Sequence, residues 1–145
     1  MAHYFITGAS SGIGAALAVQ LTAAGHQVSA VARRQQRLAA LSEQLDAFHG
    51  YVADVGDAES LATAIDKAKA KSGAIDVAIL NAGIYQPQDG TKIDPQIYAN
   101  HMTINYLGVV NALAGLVPDM VRDGEGHIAI VSSVAGWRGL PKSAA

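Results

Sequence analysis

Residues 4–14, Tyr-Phe-Ile-Thr-Gly-Ala-Ser-Ser-Gly-Ile-Gly, constrain the fold of this 145-residue chain more than any other stretch. A short apolar run feeds a turn holding Gly8, Gly12 and Gly14, and a helix-like pattern follows. That order describes a buried strand, a loop with bare backbone and a helix N-terminus. Glycines let a ligand approach the main chain, and the first amides of a helix have no intrahelical partner. With the hydroxyls of Ser10 and Ser11 they suit a pyrophosphate or a similar anion.

Two rival uses of the turn lack their partner residues. A phosphate loop of the lysine type ends in Gly-Lys-Ser/Thr, but Ala15 and Ala16 follow Gly14. The stretch from Gly8 to Gly12 also matches G-x-S-x-G, the nucleophile elbow of an α/β-hydrolase, with Ser10 as nucleophile. An elbow serine follows several strands, whereas Ser10 follows the first. His26, His49, His101 and His127 stand in no evident triad setting, and they read as surface or satisfied core residues. The spacing G-x-x-x-G-x-G differs from the common dinucleotide fingerprint G-x-G-x-x-G, although the physics is shared.

Strand-like and helix-like patterns alternate along the rest of the chain. Strands are expected at 3–7, 27–32, 48–52, 75–80 and 127–132. Helices are expected at 13–24, 34–45 and from the cap Asp57 to the stop at Gly73. The first helix should turn Ile13, Leu17, Leu21 and Ala24 inward, and the third Leu61, Ile65 and Ala68. A loop covers 84–92. Asp94-Pro95 opens a long helix running to about Arg122, which Pro118 should bend or end. Strands separated by helices in units of this length imply right-handed crossovers and a parallel sheet in one α/β domain spanning 1–145.

Composition excludes several classes. Half the residues are hydrophobic and 15% are charged, so the chain is globular. A net charge of −2 gives no electrostatic footprint for nucleic acid or an anionic membrane. No apolar run approaches ~18 residues and no signal-peptide pattern opens the chain, so neither a membrane span nor export is expected. With no cysteine there is no disulfide framework or thiolate metal site, which suits a cytoplasmic protein. No pair of histidines has zinc-ligand spacing, so no metal is expected.

Three further segments follow strand ends or lie in the long helix: Asn81-Ala82-Gly83, Asn105 within Thr103–Gly108, and Ser132-Ser133-Val134-Ala135-Gly136. Together with residues 7–14, in order and in register over the whole chain, they resemble the short-chain dehydrogenase/reductase family, of the small single-domain type. Each also has an ordinary structural reading, as a strand-ending turn, a helix-surface polar residue or a cap.

The resemblance implies a Rossmann-type doubly wound parallel sheet, a three-layer α/β/α sandwich that binds NAD or NADP. Gly8, Ser10, Ser11, Gly12, Ile13 and Gly14 would hold the pyrophosphate end. Asp54 and Val55 would meet the adenine, and Asn81, Ala82 and Gly83 would line the adenine ribose side. Asn105 and Ser133 would be two members of a catalytic tetrad. The implied activity is hydride transfer between nicotinamide and a small carbonyl or alcohol substrate, in a homo-oligomer. Tyr85, Trp137 and Leu140 are candidates for the substrate wall. A non-catalytic dinucleotide-binding or sensing protein is the alternative from another class.

Where an acidic residue would take the ribose hydroxyls of NAD, this chain has Ala32, followed by Arg33 and Arg34. Guanidinium groups suit a 2′-phosphate, so NADP(H) is expected over NAD(H). The family's further basic residue in the glycine turn is replaced by Ser10 and Ser11. The resemblance also implies a general-acid tyrosine about a dozen residues after Ser133, one position past Ala145, and a lysine four later. Residues 1–145 are therefore expected to be the N-terminal portion of a single-domain enzyme, and inactive by themselves.

Overall fold

The computed structural model describes residues 1–142. Five strands, β1 (His3–Thr7), β2 (Gln27–Ala32), β3 (Phe48–Val52), β4 (Val77–Leu80) and β5 (His127–Ile130), form one parallel sheet in the order β3-β2-β1-β4-β5. The helices are α1 (Gly12–Ala23), α2 (Gln35–Gln44), α3 (Ala58–Ser72), α4 (Pro95–His101) and α5 (Gly108–Asp123), and a 3₁₀ turn spans Val134–Gly136. Between α4 and α5, Met102–Leu107 is a π-helical segment, in which the Gly108 amide reaches back five residues to Thr103. The sheet is doubly wound: the chain runs outward from β1 to β3, then crosses back to add β4 and β5 on the other side.

Alternation along the strands splits the core in two. On one face Phe5, Val31, Ala78 and Leu80 pack with Leu61 and Ile65 of α3 and Ala112 and Leu116 of α5. On the other, Ile6, Val28 and Ala30 pack with Ala18 of α1, Leu38 of α2 and Phe48. Fully burying each large side chain contributes about 1.5–3 kcal/mol relative to leaving it exposed. The expected inner face of α3 is correct, and Asp57 caps that helix by accepting from the Glu59 and Ser60 amides at 3.1 and 3.0 Å.

The structure corrects four expectations. Helix α1 is turned in part: Gly14 and Ala18 are its buried residues, Leu17 and Leu21 pack half-buried on the same core as expected, and Ile13, 62% exposed, and Ala24 face solvent. Small residues face the sheet there because the helix docks close to β1. Strand β4 starts at Val77 rather than at 75, and β5 ends at Ile130, leaving Ser132 and Ser133 outside the sheet. The long helix is interrupted by the π segment, whereas Pro118 lies inside α5, which continues to Asp123. Finally, the helical stretch Pro95–Asp123 is long and apolar enough, by length and composition alone, to cross a membrane. It nonetheless docks on α3 through Ala112, Gly115 and Leu116, and Asp119 near its end pairs with Lys69 at 2.7 Å.

A polar thread crosses the amino ends of the strands. His3 is 3% exposed; its Nε2 lies 2.8 Å from Ser29 Oγ, and its Nδ1 lies 3.1 Å from the Gly73 and Ala74 carbonyls. Nearby His49 has its pKa held below the ordinary 6.5 by burial and by the charges of Lys71 and His3. The unfolded chain therefore takes up a proton first as pH falls. Stability is expected to be full above pH 6.5 and to decline below it, with a slope of at most ~1.4 kcal/mol per pH unit from this group. Urea unfolding at pH 7.5 and 5.5 checks this: His49→Gln should lose less stability across that interval than the unsubstituted protein.

Candidate active site

The site is built from the carboxyl ends of β1, β2, β3 and β4, where the chain reverses its direction across the sheet. In doubly wound folds this is where ligands bind. Thr7, the last residue of β1, is 2% exposed. Its Oγ1 accepts from the amides of Asn81 and Ala82, both at 3.0 Å, and so fastens the turn after β4 to the start of the glycine turn. Asn81 returns the contact by donating from Nδ2 to the Thr7 carbonyl at 3.1 Å. Thr7 was missed in the sequence; a hydroxyl at the last position of a buried strand was the available signal.

Two glycines are required by close approach. Gly8 has φ +73°, and a Cβ there would stand 2.7 Å from Ala82 Cα. A Cβ on Gly14 would stand 2.7 Å from both Asn81 Nδ2 and the Gly8 carbonyl. Gly12 differs, because nothing lies within 4 Å of its Cβ direction. The open space at Gly12, beside the first turn of α1, is where an anion can reach the backbone. The Gly8 amide is anchored on the Val31 carbonyl at 2.8 Å, which ties the turn to β2.

Ten of the residues singled out in the sequence line one cleft of about 280 Å³: Gly8, Ser10, Ser11, Arg33, Arg34, Asp54, Val55, Asn81, Ala82 and Gly83. Ile84 and Ile104, not anticipated, add apolar walls. Gly12, Ile13 and Gly14 lie behind or beside this lining, in α1. Arg34 reaches across the turn, donating from Nε and Nη2 to Ser10 Oγ at 3.1 and 2.9 Å, and from Nη2 to Ser11 Oγ. A guanidinium thus stands where the sequence showed only hydroxyls, and Ser10 has a cation as partner rather than a histidine base. Arg33 is 3.7 Å from Asp54 Oδ2, so the two residues assigned to opposite ends of the adenosine meet each other. Asp54 also accepts from the Gly56 amide at 2.9 Å. These residues fit a phosphorylated dinucleotide: bare glycine backbone, a helix N-terminus, two guanidinium groups, and Ala32 at the end of β2.

Asn105 lies in the π segment, a distortion common at functional sites. Its Oδ1 accepts from the Ile84 amide at 2.8 Å and its Nδ2 donates to the Ile84 carbonyl at 3.0 Å. Ser133 follows β5 at the same end of the sheet, and its Oγ accepts from the Ala135 amide at 3.1 Å, capping the 3₁₀ turn. Asn105 and Ser133 thus flank the carboxyl ends of β4 and β5, next to the cleft. Trp137 is 94% and Tyr85 61% exposed beside them. Among the described residues, no group of three His, Cys, Asp or Glu side chains is arranged to hold a metal ion.

A second cleft, of about 240 Å³, lies at the opposite end of the sheet between α3 and α5. Its rim is an ion-pair chain in which Asp119 meets Lys69 and Arg122 at 2.7 and 2.6 Å. Hydrogen bonds from Lys69 and then Arg122 hold the Asp119 carboxyl below the usual range.

Comparison with known proteins agrees with this geometry. The family model for short chain dehydrogenase matches residues 2–145. The chain is similar to 3-dehydrosphinganine reductase TSC10B of Arabidopsis thaliana, 37% identical over 142 residues, covering 92% of this chain and 42% of that protein. Among solved structures it is similar to levodione reductase, with a TM-score of 0.93 and 30% identity over 99% of this chain and 58% of the other. It also resembles an alcohol dehydrogenase of Thermococcus sibiricus complexed with 5-hydroxy-NADP, with a TM-score of 0.92 and 28% identity over 99% and 63%. The chain spans about half or less of the length of the first curated relatives it matches. A glycine turn locked under β4, a cationic cleft at the switch point and a family match over nearly every residue converge: the chain belongs to the short-chain dehydrogenase family.

Proposed function

We propose that the protein carrying this chain is an NADP(H)-dependent oxidoreductase acting on a carbonyl or alcohol substrate. The observation that carries the cofactor preference is Arg34 bridging Ser10 and Ser11, with no carboxylate at the end of β2. The solved alcohol dehydrogenase with 5-hydroxy-NADP and the reductase names of the similar proteins support the same reading. When bound, the nicotinamide supplies or accepts the hydride. The chain's own residues hold and orient it. Gly12 and the α1 N-terminus meet the pyrophosphate, Arg34 and the two serines meet the 2′-phosphate, and Val55 and Ile104 flank the adenine.

Ser133 donates to the substrate oxygen, where negative charge grows during reduction. Asn105 fixes the wall beside it. Turnover further requires a general acid, and residues 1–145 by themselves are proposed to bind cofactor without turnover. The homo-oligomer belongs to the same proposal: α5 and the end of the π segment leave Leu107, Val110, Val117 and Val121 exposed along one stripe, suited to a second copy.

The test is cofactor titration with charge-reversed variants. Arg34→Asp is expected to lose charge-assisted hydrogen bonds of about 1.5–3 kcal/mol, lowering NADPH affinity roughly 10–100-fold. NADH affinity should change little. Arg33→Asp should act less, because Asp54 already balances that charge. Equal NADPH affinity before and after Arg34→Asp would overturn the assignment.

A further inference from the structure

His101 is the last residue of α4, and its ring is buried, with 5% exposure. Nδ1 lies 2.7 Å from the Ile97 carbonyl, an oxygen that can only accept, so Nδ1 carries the ring hydrogen. Nε2 is then a lone pair, and it accepts the Gln86 amide at 3.1 Å. About one turn further on the same face, Asn105 holds both polar groups of the Ile84 backbone. Ile84 and Gln86 are two residues apart, so on an extended segment their amides face the same side. Two helix side chains therefore imitate the edge of a neighbouring strand and grip residues 84–86 with three hydrogen bonds. The same loop is tied on to the segment beyond Ser133. The Gln88 amide donates to the Lys142 carbonyl at 2.8 Å, and the Tyr85 hydroxyl donates to it at 3.3 Å.

We propose that His101 is a positioning residue for the carbonyl chemistry: its neutral ring latches residues 84–86, and so fixes both the seat of the Asn105 carboxamide and the substrate wall carrying Tyr85. This role rests on the oxidoreductase reading. His101 does not line the cofactor cleft, so its effect falls on the carbonyl substrate rather than on NADPH. A leucine would fill similar space and offer no acceptor; a glutamine would offer its Oε1.

The experiment compares His101→Leu and His101→Gln in the whole protein, by amide hydrogen exchange at Gln86 and by steady-state kinetics with NADPH and a carbonyl substrate. The leucine variant should exchange Gln86 about tenfold faster and lose about tenfold in kcat/KM for the carbonyl, the worth of one hydrogen bond. NADPH affinity should stay unchanged, and glutamine should restore both losses. Unchanged exchange in the leucine variant would overturn the latch. Faster exchange with unaltered carbonyl kinetics would overturn the positioning role. A wild-type protein that oxidises no NADPH with any carbonyl counts against the oxidoreductase reading instead, and exchange at Gln86 still decides the latch.

Discussion

Replacing Ser133 by alanine in the whole protein is expected to lower NADPH-dependent carbonyl reduction by about 10²–10³-fold, the usual cost of removing one donor to a developing oxyanion. The loss should fall mainly on kcat, because the bond to the substrate oxygen strengthens as charge accumulates. Ser133 has a second job in this structure, since its Oγ accepts from the Ala135 amide. Loss of that cap alone costs about 0.5–2 kcal/mol of local stability. The two effects separate by control. Ser132→Ala, one residue earlier, should leave turnover near normal, and thermal unfolding of both variants reports the capping contribution. If Ser132→Ala proves the inactive one, the assignment of the serine is wrong.

The second large effect is expected at Gly14. In an open helix, glycine to alanine stabilises by roughly 0.5–1 kcal/mol. At Gly14 the new methyl group would meet Asn81 Nδ2 and the Gly8 carbonyl at 2.7 Å and Ala9 Cα at 3.0 Å. Two of these neighbours are backbone in the glycine turn, and Asn81 is held by the Thr7 carbonyl, so none can yield cheaply. Overpacking of this kind costs about 1–3 kcal/mol, which reverses the sign. Displacing the turn also removes the pyrophosphate seat, so NADPH affinity should fall by about tenfold or more. Gly90→Ala is the control: nothing lies within 4 Å of its Cβ direction, and its effect should stay within about 0.5 kcal/mol. Denaturant unfolding and cofactor titration of both variants decide the matter, and equal stability of Gly14→Ala and the parent would refute the clash.

Strand, turn and cap signals in the sequence were strong because each rests on local chemistry. Asp57, Asp94 and the apolar runs of β1 and β2 carry signals that act through near neighbours in the chain, so they could be read in one dimension. The place of Ile13 was not legible: it shares an apolar stripe with Leu17 and Leu21, which do pack on the core, yet close docking buries Gly14 and Ala18 and leaves Ile13 in solvent. The π segment was equally hidden, since no residue type in Met102–Leu107 demands it and its cause lies in packing against other elements. Arg33 and Arg34 both line the cleft, but their partners were not legible: Asp54 and the serines come from other loops. Pairings of this sort depend on distances across the fold, which spacing along the chain does not encode.

The division of the core between the two faces has a consequence for synthesis. Helices α1 and α2 and the three strands they cover end at Val52, whereas the opposite layer needs α3, which ends at Ser72, and α5, which ends at Asp123. As the chain leaves the ribosome, one side of the sheet can close while the other still waits for some seventy residues. At roughly 5–20 residues per second, that leaves this other face of the sheet uncovered, and then covered by α3 alone, for several seconds. Phe5, Val31 and Ile65 are among the groups a nascent-chain chaperone would meet in that interval.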